Sequence, residues 1–428
     1  MLTIFTLSIF ILTYVVIMTE KYDRALIACI GGVIMLLAGV LSIDAAFLTY
    51  MDWNTITLLF SMMVLVTITS QTGIFEYIAI VLAKIVKGRG IPLLLVVSIL
   101  TAIGSAFLAN VTIVLLLVPI ILKLTSILGL PVIPYLIAVI LSANIGGTAT
   151  LIGDPPNIMI GQAVEHLTFN AFLYHLAPIV LVIFAGTMGL LLLLYRKKLQ
   201  VSGEHQQKLQ TIQASSYVKW NYTLLKSMGV LALTIIGFML HTYLHLDLTT
   251  VAMAGALLLL FLTHDVYKPE EIFKEIEWGT LFFFMGLFLL VGGLEEVGII
   301  DELARGIIYT TEGDYKTTAL LILWMTGILS GFLDNIPFVA AMIPVIVEFE
   351  DYGMTNLDPL WWSLALGACL GGNGTLLGSS SNLVVAGLAA KANHPVNFIA
   401  FLKIGLSVVV FSLLISSVYI YFRYLIYY

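Results

Sequence analysis

Charged residues are scarce in this 428-residue chain, since aspartate, glutamate, lysine and arginine together make up 10% of it. A soluble globular domain carries roughly 25% charged residues. Hydrophobic residues make up 60% of the chain, and apolar runs of about 18 residues or more, which are typical of membrane-spanning helices, recur from one end to the other. The composition therefore excludes an ordinary soluble domain and predicts that the chain lies in a lipid bilayer.

Cysteine clusters, basic stripes and catalytic groupings are lacking as well. The two cysteines, Cys29 and Cys369, both lie in apolar segments, which excludes a disulfide framework and a zinc pattern. Lysine and arginine form no stripe outside short loops, so we expect no nucleic-acid partner. The apolar segments hold no grouping of histidine, carboxylate and nucleophile and no set of metal ligands. We therefore expect no enzyme and no cofactor, apart from a bound Na⁺ or H⁺.

Apolar segments divide the chain into predicted spans and predicted hairpins. Two segments, 92–124 and 317–349, carry polar residues midway and are too short for two spans of about 20 residues each, so they predict re-entrant hairpins. The first span is expected to be a retained helix and not a signal peptide, since it lacks a basic start and a cleavage site. Ten spans are predicted, near residues 2–19, 25–43, 54–70, 133–165, 172–195, 225–244, 248–262, 279–294, 359–390 and 399–422.

The two halves of the sequence repeat each other at a constant offset of 225 residues. The register holds through residue types that rarely coincide by chance: Trp53 matches Trp278, Gly73 matches Gly298, Asn110 matches Asn335, Pro119 matches Pro344, and Asn157 matches Asn382. This pattern indicates an internal repeat. Because each repeat holds five spans, an odd number, the second repeat is predicted to be inverted in the membrane.

The distribution of lysine and arginine indicates how the chain is oriented in the membrane. If both hairpins re-enter, nearly all basic residues share one face, and only Arg305, Lys316 and Arg423 lie on the other. Basic loops face the cytoplasm, so we expect both termini outside and the hydrophilic stretch 196–221 as a cytoplasmic linker, in a multi-pass plasma-membrane protein. Segments 75–86 and 300–309 mix apolar with charged residues and are expected to be interfacial helices.

Four interrupted elements hold the candidate site. Two are the hairpin tips, and two are spans with glycine-rich polar centres. Hydrocarbon cannot solvate unwound backbone, so such segments persist only where they line a protein cavity or bind something. With inverted repeats the four elements meet near the midplane, where their oxygens suit Na⁺ or H⁺. The predicted ligands are Asn110, Thr112, Asn144, Gly147, Thr148, Thr150, Asp154, Asn157, Asp334, Asn335, Asn373, Thr375, Ser379, Ser380, Ser381 and Asn382.

Asp154 and Asp334 stand out, because a carboxylate at a helix centre in the membrane costs at least about 2.5–3.5 kcal/mol. None of the four elements contains lysine or arginine. We therefore expect both carboxyl groups to be protonated or neutralised by a bound cation. Two Na⁺ sites are predicted, one at Asn110, Thr150 and Asp154 and the other at Asp334, Asn335 and Thr375.

These residues also have simpler readings. Asp154 precedes Pro155 and could merely cap the following half-helix, as Asp334 could before Pro337. The glycines could merely permit close helix packing. Glu277 before Trp278, like Asp52 before Trp53, reads as an interfacial anchor. Cys369 lies two residues before the second break and could contact the cavity, but the simpler reading is a small buried apolar residue.

Several phrases resemble a known family. Gly-Gly-Thr-Ala-Thr-Leu-Ile-Gly-Asp-Pro-Pro-Asn at 146–157, its partner at 371–382 and Asp-Asn-Ile-Pro at 334–337 resemble the ion transporter superfamily. Within it they are most similar to the citrate-transporter-like branch that holds arsenical pump membrane proteins, NhaD-type sodium/proton antiporters and the melanosomal P protein. The likeness covers nearly the whole chain.

The resemblance implies an all-α polytopic homodimer of the elevator type. Each of its two inverted repeats has five transmembrane helices and one re-entrant hairpin, with broken helices at the midplane. The implied division is a scaffold at 1–91 and 222–315, a moving transport domain at 92–195 and 316–428, and the linker 196–221. Divalent-anion members carry Ser-Asn-Thr at both hairpin tips, whereas this chain has Ala109-Asn110-Val111-Thr112 and Asp334-Asn335-Ile336.

The expected function is secondary active transport of a small inorganic ion, by proton-coupled antiport of the Na⁺/H⁺ type. Efflux of arsenite or antimonite is the alternative. Binding arsenite through thiols would require about three cysteines, but side-chain oxygens could still recognise the neutral arsenous acid. Symport of a di- or tricarboxylate comes third, because Asp334 would repel such an anion. A passive channel fits a closed midplane site less well.

Overall fold

A computed structural model of the chain describes residues 2–19, 21–332 and 334–426. These ranges form helices and turns and contain no strand. Seven helices are apolar and long enough to cross a membrane: Trp53–Ser70, Gly90–Phe107, Asn110–Leu128, Ala177–Tyr195, Tyr222–Leu244, Trp278–Glu296 and the helical stretch Phe398–Leu425. The all-helical membrane architecture expected from the composition is thereby confirmed.

The first half and the linker contain twelve α-helices. They are α1 Leu2–Met18, α2 Arg24–Leu37, α3 Ile43–Ala45, α4 Trp53–Ser70, α5 Ile74–Ile85, α6 Gly90–Phe107, α7 Asn110–Leu128, α8 Ile133–Gly147, α9 Pro155–Ala163, α10 Phe169–His175, α11 Ala177–Tyr195 and α12 Gly203–Gln210. The segment 172–195, predicted as one span, is broken at Leu176, where Pro178 starts a new helix.

The second half contains ten. They are α13 Tyr222–Leu244, α14 Leu248–Thr263, α15 Pro269–Lys274, α16 Trp278–Glu296, α17 Ile299–Thr311, α18 Tyr315–Phe332, α19 Asn335–Glu348, α20 Asp358–Gly371, α21 Ser380–Lys391 and α22 Phe398–Ile420. The two helix hairpins are thus α6–α7 and α18–α19, and the two broken helices are α8–α9 and α20–α21.

The first hairpin is longer than the sequence suggested. Its helices have 18 and 19 residues, and each could cross a membrane by length and composition. The argument that segment 92–124 is too short for two spans was therefore wrong, because the helices extend beyond it at both ends. Re-entry remains a prediction that depends on the distribution of lysine and arginine.

The sequence repeat recurs in local contacts between each hairpin and the broken helix beside it. The Ser105 hydroxyl on α6 donates to the Ala143 carbonyl on α8 at 2.7 Å, and Ser330 on α18 donates to Ala368 on α20 at 2.7 Å. A Cβ added to Gly146 would lie 2.2 Å from a backbone oxygen of α6. Glycine is needed there because the two helices touch through their backbones.

Two glycines at equivalent positions separate α4 from α5 and α16 from α17. Gly73 and Gly298 have φ of +76° and +77°, a left-handed conformation that stops a helix. Segments 75–86 and 300–309 therefore form separate helices and do not extend the spans before them. Their position at a membrane surface stays a prediction.

The linker is docked against the first half. Leu199 and Leu209 are buried, the Lys219 amide donates to the Thr72 carbonyl at 3.0 Å, and the Lys123 ammonium on α7 contacts the Tyr217 hydroxyl. A hydrophilic composition suggested a loose connection, but a few apolar and backbone contacts hold the segment in place.

Gly73→Ala is expected to release the linker. A Cβ at this residue would lie 1.8 Å from the Tyr217 carbonyl oxygen, whereas a Cβ at Gly298 meets nothing within 4 Å. Both substitutions carry the cost of a left-handed alanine, about 1 kcal/mol or more. Hydrogen exchange of residues 196–221 should therefore accelerate in Gly73→Ala but not in Gly298→Ala. Equal exchange in the two variants would contradict the docking described here.

Candidate functional site

Both broken helices unwind over a short stretch whose carbonyl groups are satisfied by an asparagine of the following half-helix. The Asn157 side-chain amide donates to the Thr150 carbonyl at 2.9 Å and the Thr148 carbonyl at 3.2 Å. In the second break, Asn382 donates to the carbonyls of Gly372 and Thr375 at 2.8 and 2.9 Å. Because buried backbone must be hydrogen-bonded, these two predicted ligands primarily hold the breaks open.

The Asp154 carboxylate accepts hydrogen bonds from both hairpin tips. Asn110 and Asn335 are the first residues of α7 and α19. The Asn110 amide donates to Asp154 Oδ1 at 3.2 Å, and the Asn335 amide donates to Oδ2 at 3.1 Å. Asp154 is 1% exposed, and its side chain caps no helix. Capping alone therefore does not explain Asp154, whose carboxylate faces the junction of the two halves.

Asn144 joins the two broken helices. Its side-chain amide donates to Asn373 Oδ1 and to Asn382 Oδ1, both at 3.0 Å. Its oxygen accepts from the Ser381 hydroxyl at 3.1 Å and from Asn110 at a longer 3.4 Å. Asn144 is fully buried, so each of these bonds satisfies a group that water cannot reach.

The electrostatic environment of Asp334 differs from the one expected from the sequence. The Arg24 guanidinium on α2 forms an ion pair with Asp334 Oδ2. The sequence argument considered basic residues only within the four interrupted elements, and Arg24 lies 310 residues away in the chain. Asp334 is therefore already paired with a positive charge, and the expectation that it needs a proton or a bound cation for neutrality was wrong.

Other predicted ligands lie along or beside the unwound stretches of the two broken helices. The Thr148 hydroxyl donates to the Asn144 carbonyl at 2.8 Å, and the Ser379 and Ser381 hydroxyls lie 3.0 Å apart. Ser380 is half-buried. Gly147 packs so closely that an added Cβ would lie 2.9 Å from the Gly153 carbonyl oxygen.

The two predicted Na⁺ groupings are not assembled as proposed. The Thr150 hydroxyl donates to the Ala106 carbonyl and accepts from the Gly153 amide at 3.1 Å, so it supports the backbone of the break. The Thr375 hydroxyl likewise accepts from the Leu377 amide at 3.0 Å. Among the described contacts Thr112 makes no side-chain hydrogen bond. The structure instead gathers Asn110 and Asn335 around a single carboxylate, Asp154.

A small cavity adjoins that carboxylate. Its volume is about 20 Å³, enough for one water molecule or one small ion, since a water needs about 10–15 Å³. Leu59 and Met63 of α4 close one side of it. The polar residues that line it are Asn110, Asp154, Glu277, Thr280, Asn335, Ser379 and Ser380.

Three residues near this site were missed or misread from the sequence. Glu277, read as an interfacial anchor, lines the small cavity, and Arg24 was not considered. The Cys369 thiol, read as apolar, donates to Asn157 Oδ1 at 3.4 Å and lies close to the Asp154 carboxylate. The repeat carried a signal for Cys369, because at the 225-residue offset it stands opposite Asn144.

A larger cavity of about 560 Å³ lies between α9, α16 and α19. Four carboxylates line it, those of Asp52, Glu295, Asp301 and Glu348, and no lysine or arginine is among its lining residues in the described part of the chain. A cleft lined by one sign of charge raises the local concentration of the opposite ion. Asp301 is paired with Arg305 at 2.8 Å, and the other three carboxylates have no ion pair among the described residues, so the lining carries an excess of negative charge.

Comparisons with known proteins agree with this architecture. The family model described as citrate transporter, CitMHS, matches residues 14–367. The 46 kDa membrane protein of Mycobacterium leprae (strain TN) is 35% identical over 430 residues, covering 99% of this chain and all of that protein. The P protein of Sus scrofa is 32% identical over 488 residues, covering 95% of this chain and 58% of the P protein.

A solved structure has the same fold. The YdaH transporter of Alcanivorax borkumensis superposes with a TM-score of 0.58 at 13% sequence identity, covering 98% of this chain and 97% of that one. Together with the apolar helices, these findings make the chain a multi-pass membrane transporter. It belongs to the citrate transporter (CitMHS) family, within the ion transporter superfamily.

Proposed function

We propose that this transporter is a proton-coupled antiporter that exchanges H⁺ for a small inorganic cation, with Na⁺ as the first candidate. The observation that carries the proposal is Asp154. Its carboxylate is buried, accepts from the neutral amides of the two hairpin tips, lies beside the Cys369 thiol, and makes no ion pair with any described lysine or arginine. A buried carboxylate of this kind is neutralised by a proton or by a cation, which is the minimal requirement for exchange.

The charges around the site support a positive substrate. Asp154, Asp334 and Glu277 lie close to one another, and Arg24 is the basic group that interacts with the latter two. Three carboxylates against one guanidinium leave two negative charges for protons or monovalent cations to balance. The nearby carboxylate, amide and hydroxyl oxygens are the ligands that hard cations prefer.

The sizes and linings of the two cavities also favour a small cation as the substrate. A cavity of about 20 Å³ at Asp154 accommodates an ion but not a tricarboxylate. The acidic cavity of about 560 Å³ would concentrate cations near α9, the half-helix that starts after Asp154. The name of the matching family model describes other members, and uptake of a di- or tricarboxylate remains the third candidate for this chain.

We propose an elevator motion for the transport step, in a homodimer with both termini outside. In this scheme 92–195 and 316–428 carry the site, while 1–91 and 222–315 form the scaffold of two inverted repeats. The contacts fit the division, because the hairpin tips and breaks bond to one another. The segments from the scaffold regions, Leu59, Met63 and Glu277, close the cavity from the other side.

Arsenite efflux is the second candidate, and Cys369 is the observation that favours it. Its thiol lies among the polar groups of the site. The other cysteine, Cys29, donates to the Phe282 carbonyl at 3.2 Å and does not line the small cavity. A single thiol captures arsenic weakly, so this candidate depends on oxygen-based recognition of the neutral acid.

Transport by the purified protein in liposomes tests these candidates. Liposomes with an acidic interior and a quenched pH-sensitive dye receive external Na⁺, and the expected result is rapid dequenching as protons leave in exchange. Parallel samples receive K⁺, arsenite or citrate, and protein-free liposomes are the control. Dequenching with no cation, or labelled citrate or arsenite uptake without any cation response, would overturn the proposal.

A further inference from the structure

An ion pair connects the two parts that the proposed motion displaces. Arg24 is the first residue of α2, and its guanidinium bonds to Asp334 at the tip of the second hairpin. The guanidinium carbon also lies 5.1 Å from the centre of the Phe283 ring on α16, a cation–π contact. Arg24 is thus held within the scaffold regions, whereas Asp334 belongs to the transport region.

This pair is present in one half of the repeat and absent from the other. At the 225-residue offset Asp334 stands opposite Ala109, and Arg24 stands opposite Thr249. The tips are otherwise alike, since Asn110 and Asn335 both donate to Asp154. Glu277 at the same cavity accepts from the Thr280 hydroxyl at 3.2 Å, and without Arg24 the Asp334 carboxylate would be left beside Asp154 with no ion pair and would need a positive partner of its own.

The Asp334 carboxylate retains capacity for such a partner. Its Oδ1 is buried without a well-formed hydrogen bond and faces the backbone amides of Asn335 and Ile336. The Tyr14 hydroxyl on α1 is also buried without a hydrogen bond, and it interacts electrostatically with the Asp334 carboxylate. Other buried hydroxyls such as that of Ser142 share this state, so Oδ1 is singled out here because it belongs to a carboxylate beside Asn335, which lines the small cavity.

We propose that Arg24 is a positioning residue that sets the number of cations exchanged per cycle. Its guanidinium occupies the place at Asp334 that a second transported cation would otherwise take, so Asp154 alone exchanges its positive partner. This inference rests on the proposed exchange of cations for protons and specifies its stoichiometry.

Arg24→Gln tests the inference. Asp334 then lacks its partner and recruits a cation, so the Hill slope of Na⁺-dependent exchange should rise from about 1 toward about 2, the number of sites. Because each Na⁺ exchanges for one proton, exchange stays electroneutral, but the number of labelled Na⁺ ions bound per protein at saturation should rise from about one to about two. The double variant Arg24→Gln with Asp334→Asn removes both charges and should return both quantities to the wild-type values. Lys208→Gln, which breaks the exposed linker pair with Glu204, is the matched control.

The outcomes separate this inference from the proposed function. Wild-type protein without cation-dependent proton movement would overturn the proposed function, and the inference falls with it. Wild-type exchange with an unchanged slope and an unchanged number of bound Na⁺ ions in Arg24→Gln would overturn the inference alone. If Arg24→Gln does not fold, the double variant still decides. It removes both charges of the pair, and a slope or a number of bound Na⁺ ions different from wild type would refute the assignment.

Discussion

Asp154→Asn is expected to abolish proton-coupled cation exchange while leaving the protein folded. Asparagine has nearly the same shape and its one side-chain oxygen can accept from Asn110 or from Asn335 but not from both, and it carries no charge and cannot release a proton. Removing one partner of a buried charged interaction costs about 3–5 kcal/mol, and each 1.4 kcal/mol is about tenfold. We therefore expect the exchange rate at fixed Na⁺ to fall by about 100-fold or more in the liposome assay.

The control for this variant is Asp44→Asn, which removes the same charge at an exposed position before α4. Its exchange rate should match that of the wild type. Size-exclusion profiles of the two variants should be alike, which separates loss of function from misfolding. Wild-type exchange and an unchanged pH dependence in Asp154→Asn would show that this carboxylate is not the exchanging group.

Asn144→Leu is expected to destabilise the contact between the two halves. Asn144 makes four side-chain hydrogen bonds, to Asn110, Asn373, Asn382 and Ser381. Leucine has a similar volume but satisfies none of these buried groups, and each group left unpaired costs about 1–3 kcal/mol. We expect a loss of about 3 kcal/mol or more, seen as a fall of roughly 5 °C or more in the unfolding midpoint in detergent.

Ser142→Ala on the same helix is the matched control. Ser142 is fully buried as well, but its hydroxyl makes no hydrogen bond in the described structure. Its removal should leave the midpoint unchanged or slightly raised, because no partner loses a bond. A midpoint for Asn144→Leu equal to that of Ser142→Ala would mean that the asparagine network contributes little to stability.

Much of the candidate site could be predicted from local sequence patterns. Glycine and proline interrupt a helix wherever they occur in an apolar run, so the breaks before Pro155 and Ser380 could be located from the sequence. The 225-residue repeat paired Asn110 with Asn335 before any contact was known. Composition and apolar run length likewise predicted the membrane location and the helical class.

Other features needed distances that no local pattern contains. Docking of the linker depends on Tyr217 meeting Gly73 and Lys123, residues that a hydrophilic composition does not associate with it. The length of the first hairpin was underestimated because the segment was ended at Leu124, although the left-handed Gly129 that stops α7 lies five residues further along the chain. Glu277 was read as an anchor since its neighbour Trp278 dominates the local pattern.

The sequence alone determined the helical membrane class, the internal repeat and which polar segments interrupt the helices, because these follow from composition and from short-range backbone preferences. Only the tertiary structure decided how charge is distributed over those segments. It pairs Asp334 with Arg24 from a distant helix and leaves Asp154 with amide donors from both halves. Electrostatic neutralisation depends on separation in space, and residues 310 positions apart in the chain become partners only when the helices are packed.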